Sequence, residues 1–105
     1  MLTAEEIDAL VARVVARIRP EKVIVFGSYA KGTAGARSDL DLCVVVDTPL
    51  PPSRRADALR PLLAGCLVPV DIHVHTPEEM EEYGKVQHSF LHSVSTSGKV
   101  VYSAT

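Results

Sequence analysis

The sequence predicts an α/β fold: a small mixed β-sheet with flanking helices, carrying its functional site at one end of the sheet. Three observations predict it. Short runs of mainly β-branched and aliphatic residues, Val23-Ile24-Val25-Phe26, Leu40 to Val46 and Cys66 to His75, have the length and alternation of strands. Around them lie stretches with apolar residues at helical spacing, two of which open on a threonine followed three residues later by glutamate. A chain of 105 residues with 47% hydrophobic content can bury one modest core, and no composition shift marks a second. A single domain over residues 1–105 is therefore expected.

Taken in order, Thr3-Ala4-Glu5-Glu6 has the form of a capping box, and Ile7, Leu10, Val11, Val14 and Ile18 recur on one helical face. This predicts a helix over about residues 4–18 that covers the sheet, with Arg17 and Arg19 suiting its negative end and Pro20 stopping it. The first strand is expected from Lys22 to Phe26. Tyr29-Ala30-Lys31 then forms a short helical turn.

In the second strand Leu40, Leu42, Val44 and Val46 alternate with Asp39, Asp41, Cys43 and Val45, so both aspartates fall on one face. Asp47-Thr48-Pro49-Leu50-Pro51-Pro52 ends that strand, because prolines cannot donate to a ladder. Ser53 is the expected N-cap of a helix carrying Ala56, Leu59, Leu62 and Leu63, which Pro61 kinks or divides. Arg54, Arg55, Asp57 and Arg60 read as its solvated face, with contact to a nucleotide or partner as the alternative.

Cys66 to His75 reads as the third strand, with Pro69 near its start or at an edge, and parity puts Asp71, His73 and His75 on one face. A zinc site there competes with polar residues lining a nucleotide cleft, but ligands this close on one strand rarely close a tetrahedron. Thr76-Pro77-Glu78-Glu79 starts a short helix ending near Tyr83-Gly84. Val86, Phe90 and Val94 suit the buried face of a further helix that stops at Gly98. His88 and His92 stand four apart on it, without the glutamate that a His-Glu-x-x-His zinc motif requires. Lys99 to Tyr102 is a terminal strand or edge segment.

Composition narrows the function. A net charge of −2 provides no basic stripe of the kind that reads duplex nucleic acid, so a dedicated nucleic-acid surface is not expected. Cys43 and Cys66 sit in apolar runs without a Cys-x-x-Cys spacing, which predicts buried thiols in a reducing, cytoplasmic compartment. No signal peptide and no membrane-spanning apolar run are seen.

The chemistry concentrates between Gly27 and Leu42. Two carboxylates as close as Asp39 and Asp41 repel each other, and a divalent cation is the usual counter-charge that keeps both ionised. Gly27-Ser28 permits a sharp turn that offers backbone N–H groups and a hydroxyl to an anion. Phosphate beside metal is the combined reading. Against it stands a plain strand, turn, strand unit whose aspartates are solvated at a sheet end.

These residues resemble the minimal nucleotidyltransferases of the DNA polymerase beta superfamily, whose signature is Gly-Ser, a short spacer with glycine, then Asp-x-Asp followed by apolar residues. Here the matching residues are Gly27-Ser28, Lys31-Gly32 and Ser38-Asp39-Leu40-Asp41-Leu42, and Val70-Asp71-Ile72 supplies the third family carboxylate. The resemblance spans about residues 22 to 75 and implies a polymerase-beta-like nucleotidyltransferase fold. It implies ATP as substrate and two magnesium ions, held by Asp39, Asp41 and Asp71 as metal ligands and catalytic residues. Asp71 lies toward the attacking hydroxyl. Gly27, Ser28, Lys31 and Arg37 are the implied nucleotide-binding residues, with a solvated surface role as the alternative for Lys31.

Larger members of that superfamily carry an extra domain for the acceptor, for which this chain has no room. Stand-alone members typically accompany a small helical HEPN-domain protein and act as its antitoxin, in some pairs by transferring AMP to a tyrosine of the toxin. Three readings follow from the resemblance: an enzyme that adenylylates its HEPN partner, a non-catalytic antitoxin that masks it, and a nucleotidyltransferase acting on small molecules of the aminoglycoside kind. The complete set of acids favours the first. A homo- or hetero-oligomer is compatible with all three.

Overall fold

A computed structural model of the chain describes residues 1–104. Thr3 caps the first helix, α1 (Ala4–Ile18), through the full reciprocal capping box with Glu6, and Arg19 ends it in a left-handed conformation just before Pro20. The strands are β1 (Lys22–Phe26), β2 (Leu40–Val45), β3 (Val70–His75) and β4 (Lys99–Ser103), with the one-turn helix α2 (Ser28–Lys31) between β1 and β2. Two helices, α3 (Pro77–Tyr83) and α4 (Phe90–Ser97), separate β3 from β4.

The strands form one mixed sheet in the order β3-β2-β1-β4. β2 pairs antiparallel with β1 and parallel with β3, and β4 pairs antiparallel with the free edge of β1. Small size, a mixed sheet and helices on its faces are the α/β architecture that the sequence predicts. No helix among the described residues is long and apolar enough to cross a membrane.

Both faces of the sheet are covered, as the burial of β2 requires: Leu42 and Cys43 point in opposite directions and each is 0% exposed. On one face Val23, Val25, Leu40, Leu42, Val44 and Val74 pack with Leu10, Val11 and Val14 of α1 and with Leu59 and Val68 of the crossover. On the other, Ile24, Cys43 and Val45 pack with Val94 of α4, and Phe26 and Met80 lie against them. Burial pushes the Cys43 thiol up to about 12, so it serves as a small core residue and not as a nucleophile. The two cysteines are free thiols, but Cys66 is half-buried where a buried one is expected.

Four local expectations are corrected. The segment after the proline-rich loop is not a helix capped by Ser53; it makes two 3-10 turns, Pro52–Arg54 and Pro61-containing Arg60–Leu63. Prolines lack the N–H that an α-helical ladder needs, so the chain takes turns that tolerate them while still burying Leu59 completely. Arg55 is not solvated: its side chain is 9% exposed and donates to the Leu50 carbonyl at 3.0 Å and to Glu79 at 2.6 Å. The third strand begins at Val70, after Pro69, so Cys66 to Pro69 belong to the crossover.

The last correction concerns α4, which starts only at Phe90. Ser89 caps it by accepting from the His92 N–H, and His88 precedes the cap at a positive φ of 69°, off the helix. The buried stripe is therefore Leu91 and Val94, three residues apart, while Val86 and Phe90 are 51% and 45% exposed. α3 follows its sequence signals fully: Thr76 and Glu79 form a capping box, Pro77 occupies the first turn, and Gly84 follows the last.

Candidate active site

Strand directions assemble the site. β1 ends at Phe26, and the antiparallel β2 begins beside it, so Phe26 lies opposite Asp41. β3 runs parallel to β2 in a register that sets Asp71 opposite Asp41. A row of Phe26, Asp41 and Asp71 thus crosses three strands at one end of the sheet. All three share a face with Ile24, Cys43 and His73, because side chains alternate along each strand. Asp39 lies just ahead of β2, exposed to solvent.

Asp71 is also exposed, and Asp41 is half-buried. The Asp41 carboxyl is held above the usual carboxylate range, chiefly by burial and next by the negative charges of Asp71 and Asp39, with His73 pulling the other way. The three acids singled out in the sequence are therefore electrostatic neighbours. Their donors are hard carboxylate oxygens short of positive charge, which fits a magnesium ion. Among the described residues no three His, Cys, Asp or Glu side chains form a ready-made metal shell.

The turn beside the acids has a strict steric requirement. Gly27 has φ +71°, and a Cβ placed on it would overlap Oδ2 of Asp41. Glycine is thus needed twice, for the backbone conformation and for the close approach of the carboxylate. Ser28 then opens α2, with the Lys31 N–H bonded to the Gly27 carbonyl at 3.1 Å and the Thr33 N–H to the Ser28 carbonyl at 3.0 Å. Its hydroxyl has no hydrogen-bond partner among the described residues. The next residue, Tyr29, anchors the turn: its hydroxyl accepts from the Leu2 N–H at 2.9 Å and its ring packs on the core.

Lys31 and Arg37 are both exposed, the first at the end of α2 and the second in the loop leading to Asp39. Neither forms an ion pair among the described residues. That loop is pinned locally, with the Gly35 N–H donating to Ser38 Oγ at 2.7 Å. Lys31 and Arg37 both lie on the segment that joins the turn to the acids.

Aromatic residues form a part of the neighbourhood that the sequence reading missed. Phe26, His73 and Phe90 make a three-ring cluster, with centroid separations of 5.5 Å for Phe26–His73, 5.3 Å for Phe26–Phe90 and 5.0 Å for His73–Phe90. Asp71, His73 and His75 do share a face, as parity predicts. Both imidazoles, however, contact the Phe90 ring, and His75 also lies 3.6 Å from Glu79. The available signal was Phe26 itself, directly before Gly27 on a strand whose parity matches the acid face.

Comparisons with known proteins bear on family and fold. A family model described as a nucleotidyltransferase domain matches residues 7–98. A Methanocaldococcus jannaschii protein named "Putative protein adenylyltransferase" is 31% identical over 100 residues, 93% of this chain and 92% of its own. A crystal structure described as a putative nucleotidyltransferase from Sulfolobus solfataricus superposes with a TM-score of 0.68 at 19% identity, covering 93% of this chain and 78% of that one. A chain from a toxin-antitoxin crystal structure with AMP-PNP superposes with a TM-score of 0.65 at 20% identity, covering 93% of this chain and 74% of that one. At those identities the two structural likenesses speak for the fold.

Proposed function

Because the chain belongs to the nucleotidyltransferase domain family, we propose that it transfers AMP from ATP to a tyrosine hydroxyl of a partner HEPN toxin and so acts as its antitoxin. The observation that carries this reading is the Asp41–Asp71 pairing across parallel strands, with Asp39 nearby and the Gly27 turn against Asp41. A protein acceptor is supported by the name of the M. jannaschii relative, and a toxin partner by the toxin-antitoxin structure among the fold neighbours. In this reading residues 1–105 act as one nucleotidyltransferase domain, in the cytoplasm.

Each residue has a role in the transfer. The N–H groups at the Gly27 turn and the Ser28 hydroxyl hold the outer phosphates, and Lys31 and Arg37 balance their charge. Asp39, Asp41 and Asp71 would hold two magnesium ions. When bound, these ions neutralise the phosphate oxygens and the departing pyrophosphate. Asp71 faces the acceptor and takes the proton of the attacking hydroxyl. The hydroxyl oxygen forms a bond to the α-phosphorus as the bond to the bridging oxygen of pyrophosphate breaks, leaving a phosphodiester on the acceptor. Exposure of Asp39 and Asp71 leaves the acid end open for a protein surface to close over it.

Incubating the protein with ATP, magnesium and a HEPN protein encoded next to it tests this reading. Intact-mass spectrometry should show the HEPN protein gaining adenylyl units, and Asp71→Asn should stop the gain while the complex still forms. An unmodified HEPN protein whose toxicity is nevertheless neutralised, equally by Asp71→Asn, would replace transfer with masking.

A further inference from the structure

We propose that Phe90, braced by Phe26 and His73, is the platform on which the base of the bound nucleoside triphosphate stacks, an inference that rests on the function proposed above. Phe90 is the first residue of α4 and is 45% exposed, although its neighbours Leu91 and Val94 are buried. Its ring is nonetheless held at a defined angle, edge-on to Phe26 at 83° and tilted 43° from His73. A large aromatic side chain half in water, but oriented by two others, is prepared for a flat ligand.

Its position relative to the acids gives that ligand a direction. Phe26 is the cross-strand partner of Asp41, and His73 follows Asp71 by two residues on the same face of β3. With the outer phosphates at Gly27 and Ser28, at the end of β1, and the α-phosphate at Asp41 and Asp71, the triphosphate runs across the sheet from β1 toward β3. In-line attack puts the acceptor hydroxyl at the far end of that line, beyond Asp71, so the nucleoside leaves the α-phosphate to one side of it. Along β3 on the acid face, that side carries His73 with Phe90 against it. A free nucleotide needs a wall for its base within this chain, whereas an acceptor residue arrives with a protein surface of its own. Stacking accepts any base, because each has a π-face, so the platform fixes position and leaves base identity unread.

The test compares magnesium-ATP with magnesium-tripolyphosphate, which has the phosphates and no base, by calorimetry on Phe90→Ala and Phe90→Leu. Both variants should bind ATP on the order of tenfold more weakly and bind tripolyphosphate as the parent does. The chain has no tryptophan, so Phe90→Trp adds a single indole whose emission, excited beyond the tyrosine band, ATP but not tripolyphosphate should quench. Unchanged ATP affinity in Phe90→Ala and Phe90→Leu overturns the platform, and slower modification of the protein partner beside that unchanged affinity would move the ring to the acceptor. Equal loss for both ligands overturns it as well, by making Phe90 a structural residue. If the parent binds neither ligand, the functional reading fails together with the platform.

Discussion

Any side chain begun on Gly27 would overlap Oδ2 of the Asp41 carboxylate. Turn and acid are therefore built against each other, and substitutions at the turn should be felt at the site. Gly27→Ala must adopt φ +71° with ψ −148°, close to a region that only glycine occupies readily, and displace Asp41, costing roughly 1–3 kcal/mol for the backbone alone. That corresponds to a fall in Tm of roughly 4–8 °C per kcal/mol for a chain of this size, accompanied by loss of ATP binding. Gly32→Ala is the control: its φ is +74°, but nothing lies within 4 Å of an added Cβ. In its left-handed conformation an alanine should cost only about 1–2 kcal/mol and leave ATP affinity unchanged in calorimetry.

Asp41 should stabilise the fold when its charge is removed. Its folded-state pKa is raised above 3.8, so the folded chain holds this proton more tightly than the unfolded chain. The resulting penalty is absent in acid, where both states are protonated, and develops as pH rises from 3.8 through the folded value. Asp41→Asn should therefore melt higher than the parent near about pH 7, with the gap closing in strong acid. Magnesium should raise the parent's Tm and narrow the gap. A variant that melts lower at every pH would contradict the crowding of the three acids.

Arg55 ties the crossover to α3. Arg55→Ala leaves the Leu50 carbonyl and Glu79 without this donor, and should cost about 1–3 kcal/mol, the range for a hydrogen bond involving a charged group. Glu79 is held below its usual range first by the Thr76 N–H and then by Arg55. Its contribution is present above 4.5, the unfolded value, and is lost as pH falls through the lower folded value. Urea unfolding should show the parent–variant difference shrinking over that acidic window, with ATP binding unaffected at neutral pH.

Ser28 should matter for phosphate and not for the fold, since its hydroxyl has no partner among the described residues. Ser28→Ala is expected to weaken triphosphate binding by about 1–3 kcal/mol, as for a hydrogen bond to a charged group, with Tm unchanged. A large drop in Tm at constant affinity would make the hydroxyl a structural cap.

Legibility in the sequence followed the range of the interactions. Thr3 with Glu6, and Thr76 with Glu79, specify their helices within one turn, and α1 and α3 span the segments that these local signals predict. The strand period placed Asp71 and His73 on one face without any knowledge of neighbours. It could not place Asp41 beside Asp71, because that depends on strand order and register; only the family resemblance joined them. Between Pro49 and Pro69 the apolar spacing identified Leu59 as a core residue, yet proline chemistry dictated 3-10 turns. Phe90 was misread because α4 starts only there, so Val86 is off the helix and the Val86–Phe90 spacing defines no buried face. Arg55 was misread because its partner Glu79 is 24 residues away.

The central claim is that Asp39 and Asp41 hold a metal-bound triphosphate at the sheet end. Titration calorimetry of ATP, with magnesium and with the metal chelated, tests it most directly on the parent and on Asp39→Asn combined with Asp41→Asn. The account predicts magnesium-dependent binding in the parent and loss of that dependence in the double variant, which remains folded. Equal ATP affinity of parent and double variant, each with the same response to magnesium, would contradict it and move the metal and the nucleotide away from these two acids.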